Sequence, residues 1–315
     1  MTTPSSRKIV PKHSSLLTRI RRTRALYMLL IPAIVFLIVF HYYPMYGAII
    51  AFKNYTISGG ILGSEWVGLK NFQKFINYYE FPLILKNTLR ISIYTITASF
   101  FIKLILSLSL NCMRLEGYKK IVQTVTYMPH FISTVVIVGI LIRFFNPSIG
   151  PISKLIQSLG GTNRDLMGVS EAVPHIYVWS GIWQNAGWST ILYLATLSSV
   201  DPTLHEAAIV DGATRMHRVW HIDLPTLIPT IVITLIMDMG RVMSVGADKM
   251  LLMQNSLNLS TTQIISTYVY GVGIASASPQ YSYGAAISLF NTVINFSLLM
   301  IVNTISKKLN QAALW

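Results

Sequence analysis

Charge is scarce in this 315-residue chain: Asp, Glu, Lys and Arg make up only 11% of it, against roughly 25% in soluble domains. Beside 52% hydrophobic residues and a mean hydropathy of +0.53, that scarcity excludes an ordinary water-soluble globule. Acid is scarcest of all, with 11 Asp and Glu against 25 Lys and Arg, for a formal net charge of +14. In a soluble domain such an excess points to nucleic acid. Here the basic residues lie between apolar blocks rather than on one folded face, so membrane lipid is the expected partner and nucleic acid is not. The single cysteine, Cys112, excludes an intrachain disulfide and any multi-cysteine metal site. The phosphate-cradling pattern G-x-x-x-x-G-K-[ST] is absent, as are H-E-x-x-H and G-x-S-x-G, and the seven histidines are scattered. The chain therefore reads as a non-enzyme without a cofactor or metal of its own. No repeat of 20 to 50 residues suggests a solenoid.

What is present is long apolar runs. Crossing about 30 Å of hydrocarbon takes roughly 20 residues of helix at 1.5 Å each, and six stretches qualify: 25–43, 88–112, 122–145, 173–197, 227–245 and 283–304. The fourth and fifth are the least apolar, since they hold Trp179, Gln184, Asn185, Asp238 and Arg241. The expected fold class is all-α, a polytopic membrane protein with six transmembrane helices. Lys and Arg gather in short cytoplasmic loops. Arg7, Lys8, Lys12, Arg19, Arg21, Arg22 and Arg24 precede the first stretch, Arg114, Lys119 and Lys120 follow the second, Arg215 and Arg218 the fourth, and Lys307 and Lys308 the sixth. The longer opposite segments hold Lys53, Lys70, Lys74, Lys154, Arg164 and Lys249. Both termini are thus expected in the cytoplasm. The first stretch ends in HYYPMYG without an A-x-A-like cleavage site, so it reads as a retained helix rather than a signal peptide. The organisation expected is a basic segment at 1–24, a first helix and external loop at 25–87, a five-helix core at 88–305 with a loop at 199–226, and a tail at 306–315.

That loop is the most informative segment. Asp201 is a good N-cap and Pro202 suits the first helical position, where its missing N–H costs nothing. Ala207 and Ala208 allow another surface to approach closely, Glu206 offers a carboxylate, and Gly212 can adopt the left-handed conformation that stops a helix. A second short helix is expected from Ala213 to about Trp220, ending before Pro225, which turns the chain into the fifth stretch.

Glu206-Ala207-Ala208, Gly212 and, after nine intervening residues, Ile222, Leu224 and Pro225 resemble the EAA, glycine and I-x-L-P signature of the transmembrane subunits of binding-protein-dependent ABC importers. The likeness extends to Trp66-Val67-Gly68-Leu69-Lys70-Asn71-Phe72, Tyr127-Met128-Pro129-His130, Ile182-Trp183, Gly187-Trp188 and Tyr281-Ser282-Tyr283-Gly284, and is similar to the carbohydrate-uptake branch that contains the maltose-type permeases. The resemblance implies a type-1 importer permease fold with a cytoplasmic coupling helix, in the plasma membrane of a bacterium. Implied partners are a second homologous permease, two cytoplasmic ATPase subunits holding ATP and Mg, an external solute-binding protein and a carbohydrate. It also implies that Glu206, Ala207, Ala208, Asp211, Gly212, Ile222, Leu224 and Pro225 engage an ATPase. An ion-gradient-driven secondary transporter is the alternative, but such folds usually repeat one half in the other, and residues 1–150 hold no comparable motif.

Ionisable side chains within spans are costly and point to function. Lys103 lies about nine residues from the cytoplasmic end of its span and is expected to snorkel toward that interface. Asp238 and Arg241, three apart, share a helix face. One reading has them neutralise each other between helices. The other has them line the pathway, with Arg241 free to grip a carboxylate. In the maltose-type permeases the sugar-contacting positions, counted without gaps from the EAA glutamate, fall here on Gln184, Asn185, Trp188, Asp238 and Arg241. A cation at position 241 departs from that pattern and favours an acidic oligosaccharide over maltose.

Overall fold

The computed structural model describes residues 23–161, 164–309 and 312–314. The basic N-terminal residues up to Arg22, and Asn310, Gln311 and Trp315 of the tail, lie outside them. The described residues are largely helical: α1 (Arg24–Phe52), α2 (Phe81–Asn111), α3 (Glu116–Phe131), α4 (Thr134–Phe144), α5 (Ala172–Leu197), α6 (Pro202–Val210), α7 (Arg215–Met239), α8 (Ala247–Met253), α9 (Ile265–Ala275) and α10 (Tyr281–Lys308). The expectation of helices alone is corrected by a two-residue antiparallel ladder, Lys53–Asn54 against Glu65–Trp66.

Four helices, α1, α2, α7 and α10, are long and apolar enough to cross a membrane. The 26 residues of α5 span about 39 Å, but Gln184, Asn185 and its small polar residues make it less apolar. The third expected span is not one straight helix. Its halves α3 and α4 meet at 98°, because Ile132 and Ser133 are extended and the Ser133 hydroxyl restarts the helix by accepting from the Val136 amide. The fifth departs as well: α7 runs unbroken from Arg215 through Pro225 instead of stopping before it. A wide π turn at Val219–Asp223 precedes the proline, which enters the first turn of the following α-helical stretch, where no backbone donor is needed.

The Arg24–Leu37 part of helix α1 buries none of its side chains within the chain, so its apolar surface requires lipid or another subunit. The core lies between the remaining helices. Helix α2 packs along α5, with Ile91, Val138, Tyr177, Val178 and Ile182 in one buried cluster and Phe75, Ile84, Tyr268, Tyr283 and Ile287 in another. Gly187 sits where α5 meets α3, and a Cβ there would lie 2.3 Å from the Thr126 carbonyl oxygen. Without a hydrophobic drive between helices in lipid, such small-residue contacts are what hold them together.

Polar side chains then tie the outer segments to the bundle. Asn71 donates to the carbonyls of Ala51 and Lys53 at 2.9 and 3.1 Å, Trp66 stacks on Phe52, and the Tyr55 amide donates to Ser282 Oγ at 2.8 Å. The W-V-G-L-K-N-F segment is thus a clamp fastening the end of α1 to α10. At the far end the chain folds back, with the Leu314 amide donating to Asn303 Oδ1.

Candidate functional site: the α6 loop and a charged cavity

The predicted residues lie in three different places. The first is the α6 loop. Asp201 caps α6, accepting from the Thr203 amide at 2.9 Å, a bond that also holds its carboxyl below the usual carboxylate range. Pro202 occupies the first turn, and Gly212 takes φ +78°, as the stop signal requires. Thr214 then caps α7 through the His217 amide. Glu206, Ala207 and Asp211 are exposed beside Leu204, Ile209 and Val210, the last 87% exposed. The opposite face is fastened inward: His205 Nε2 lies 3.4 Å from Asp223 Oδ1, and Asn111 at the end of α2 donates to the same oxygen at 3.2 Å. Asp223 is only 2% exposed. Ile222 and Leu224 flank it half-buried, so the I-x-L-P segment frames this clasp. A cleft of about 540 Å³ runs beneath, lined by Glu206, Ile209, Arg114, Arg215 and Arg218. Sequence reading missed the clasp, because nothing local links positions 111, 205 and 223.

The second place lies among the membrane helices. Lys103 does not snorkel. It is 6% exposed, and its Nζ lies 3.3 Å from Asp238 Oδ2 and 5.6 Å from the Tyr193 ring centroid. The reading in which Asp238 and Arg241 neutralise each other therefore gives way to a pair formed across α2 and α7. Arg241 lies past the end of α7, in a turn whose Arg241 amide donates to the Asp238 carbonyl at 3.1 Å. Asn295 of α10 fixes that turn, accepting from the Met243 amide and donating to Ser244 Oγ, both at 2.8 Å. Asp238 and Arg241 still meet at one cavity of about 150 Å³, with Ser92, Thr95, Tyr177 and Ser244 among its walls. Arg241 is exposed there and has no ion-pair partner among the described residues.

Gln184, Asn185 and Trp188 are not part of that lining. They face the α3–α4 bend: Gln184 donates to the Ile132 carbonyl at 3.0 Å, Asn185 Oδ1 lies 3.0 Å from His130 Nδ1, and His130 stacks on Trp188 with centroids 4.5 Å apart. One indole face is thereby taken, and Trp188 remains 48% exposed. His130 completes this group, and its place in Tyr127-Met128-Pro129-His130 was its signal.

Apolar helices surrounding a charged cavity, with an exposed helical loop clasped to their ends, have the build of a membrane transport subunit. Residues 105–311 match the family of binding-protein-dependent transport system inner membrane components, and the chain belongs to that family. It is 40% identical to Protein LplB of Bacillus subtilis (strain 168) over 96% of this chain and 95% of that one. It is 37% identical to the polygalacturonan/rhamnogalacturonan transport system permease protein YteP of the same organism, over 96% and 94%. A solved bacterial alginate ABC transporter in complex with an alginate pentasaccharide-bound periplasmic protein contains a chain 32% identical to this one. Their folds agree with a TM-score of 0.86 over 96% of this chain and 100% of that chain. The fold is that of a type-1 ABC importer permease, and the chain is the multi-pass, non-catalytic membrane subunit of an ATP-driven importer in which separate subunits hydrolyse ATP. These likenesses do not favour the ion-gradient alternative.

Proposed function

We propose that the chain forms half of the translocation pathway for an acidic oligosaccharide delivered by an external solute-binding protein, beside a second homologous permease and above two ATPase subunits that hold ATP and Mg. The chain crosses the membrane six times with both termini in the cytoplasm, α5 and the bent α3–α4 pair serving as crossings. The α6 loop then faces the cytoplasm together with Arg114, Lys119, Lys120, Arg215 and Arg218. The observation that carries the coupling role is the two-sidedness of α6: Ala207 and Asp211 are exposed on one face, His205, Asp223 and Asn111 bind the other to α7 and α2, and Glu206 stands exposed at the rim of the cleft. A docked ATPase that moves the exposed face moves the membrane helices with it, and its different contacts in two nucleotide states supply the coupling free energy. Ala207 and Ala208 give the close fit, and Gly212, Ile222, Leu224 and Pro225 set the angle between loop and helix.

The substrate class is supported by Arg241, a cation in a membrane cavity without a carboxylate partner among the described residues, and by the polygalacturonan and alginate named for the relatives. A guanidinium binds a carboxylate through two parallel hydrogen bonds. Asp238, Gln184, Asn185 and the open face of Trp188 offer partners to hydroxyls and a pyranose ring further along the path. The test is uptake of labelled oligogalacturonide and of its carboxyl-reduced counterpart by the complete transporter. Arg241→Met is expected to lower acidic uptake about tenfold relative to neutral, and equal loss of both contradicts the carboxylate role.

A further inference from the structure

We propose that Lys103 is a specificity-determining residue of the pathway: by holding the Asp238 carboxylate across the α2–α7 contact it keeps that carboxylate off Arg241, and so leaves the guanidinium free for a carboxylate on the substrate. The proposal rests on the reading of Arg241 as the substrate-gripping cation.

Asp238 and Arg241 are three positions apart, are joined by a backbone hydrogen bond of 3.1 Å, and line the same small cavity. At that spacing an Asp–Arg pair closes readily, and no other carboxylate lines the cavity to compete for the guanidinium. Left to themselves the two would consume each other. Lys103 prevents this by position. Its ammonium is 3.3 Å from Asp238 Oδ2, and the side chain is walled in at 6% exposure. It cannot leave its carboxylate without becoming a bare buried cation, which is far more costly than any alternative pairing returns. The ring beneath it is fixed too: Tyr193 is fully buried and its hydroxyl bonds Thr234 of α7 at 3.0 Å.

Counting charges gives the consequence. Lys103 and Asp238 cancel, and Arg241 leaves the cavity with one positive charge. The nearby Lys249 is occupied elsewhere, donating to the Tyr177 carbonyl at 2.9 Å, and does not line the cavity; Asp238 is the one acidic residue in its wall. The pairing of Lys103 with Asp238 thus turns three ionisable side chains into a single available cation, and a neutral residue at 103 would turn them into none.

The experiment measures the ratio of oligogalacturonide uptake to uptake of the carboxyl-reduced counterpart in the complete transporter, with the same binding protein throughout. Lys103→Met is expected to lower the ratio about tenfold, because Asp238 then captures Arg241. Lys103→Met combined with Asp238→Asn is expected to restore it to within about twofold, since no competitor remains, a rescue that a merely structural role for Lys103 does not produce. Asp238→Asn alone lowers uptake of both substrates, because it removes a pathway group and leaves Lys103 unpaired, but does not lower the ratio. A wild-type ratio in Lys103→Met, or a double variant as low as the single, overturns the proposal. Should Lys103→Met fail to reach the membrane, Asp238→Asn decides: a tenfold fall in the ratio there means that Asp238 orients Arg241, which is the opposite of the proposal. The underlying reading fails separately, when Arg241→Met leaves the ratio unchanged or the wild type takes up neither galacturonate nor alginate oligomers. A fall in Arg241→Met with none in Lys103→Met removes only the role of Lys103.

Discussion

The α6 loop and the Lys103–Asp238 cavity place charge in opposite ways. In the loop, Glu206 and Asp211 stand in the open beside exposed apolar side chains, while His205, Arg218 and Asp223 turn inward. At the cavity the wall residue Asp238 is paired with Lys103, 135 residues away in the chain and almost wholly buried. A loop that presents charge and small residues in the open suits a protein partner, whereas Lys103 is reached by nothing but Asp238, which itself lines the cavity. On the proposed reading, one surface receives work and another selects what is moved.

The widest gap between the two regions is expected from substitutions in the loop. Gly212→Pro demands φ near −65° where the backbone holds +78°, and Glu206→Lys reverses the charge offered to the partner. Each is expected to cut ATP-dependent uptake by about a hundredfold, equivalent to about 2.7 kcal/mol of lost coupling, while membrane levels measured by immunoblot stay near wild type. Normal uptake in both would erase the distinction between loop and cavity. Next in size is Lys103→Met, whose shift in acidic-to-neutral ratio places selection in the cavity. On stability it should cost about 2 kcal/mol, between the values for buried and exposed pairs because Asp238 is partly exposed, read as a lower melting temperature in lipid nanodiscs. Gly187→Leu is expected to cost about 1–3 kcal/mol by forcing α5 from α3, with little change in the ratio, and the same melting experiment reads it. Smallest is His205→Ala. Loss of the clasp should lower substrate moved per ATP hydrolysed by about threefold while ATPase activity persists, a loosened lever rather than a missing one.

What could be read beforehand follows the same division. The loop was legible residue by residue, because its signals are local: Asp201 and Pro202 start α6, Gly212 ends it, and both do so through backbone chemistry that acts within a few positions. The long apolar runs were legible for the same reason. The α3–α4 bend was not, since a run of apolar residues carries no mark at Ile132 and Ser133 that distinguishes a corner from a straight helix. Pro225 read as a helix breaker because the π turn that accommodates it is invisible in residue spacing. In the cavity, Asp238 and Arg241 were found by their cost in lipid, with mutual pairing and pathway lining both open. Only tertiary packing shows that Asp238 pairs with Lys103 instead of Arg241.

The most direct test of the account is proximity at the exposed face of α6. With Cys112 replaced by Ser, a cysteine at Ala207 in the complete, transporting complex should cross-link to an ATPase subunit, with a yield that changes when ATP binds. Reaction of that cysteine with an impermeant reagent added outside intact cells, or a complex that transports while no ATPase ever cross-links there, would contradict it.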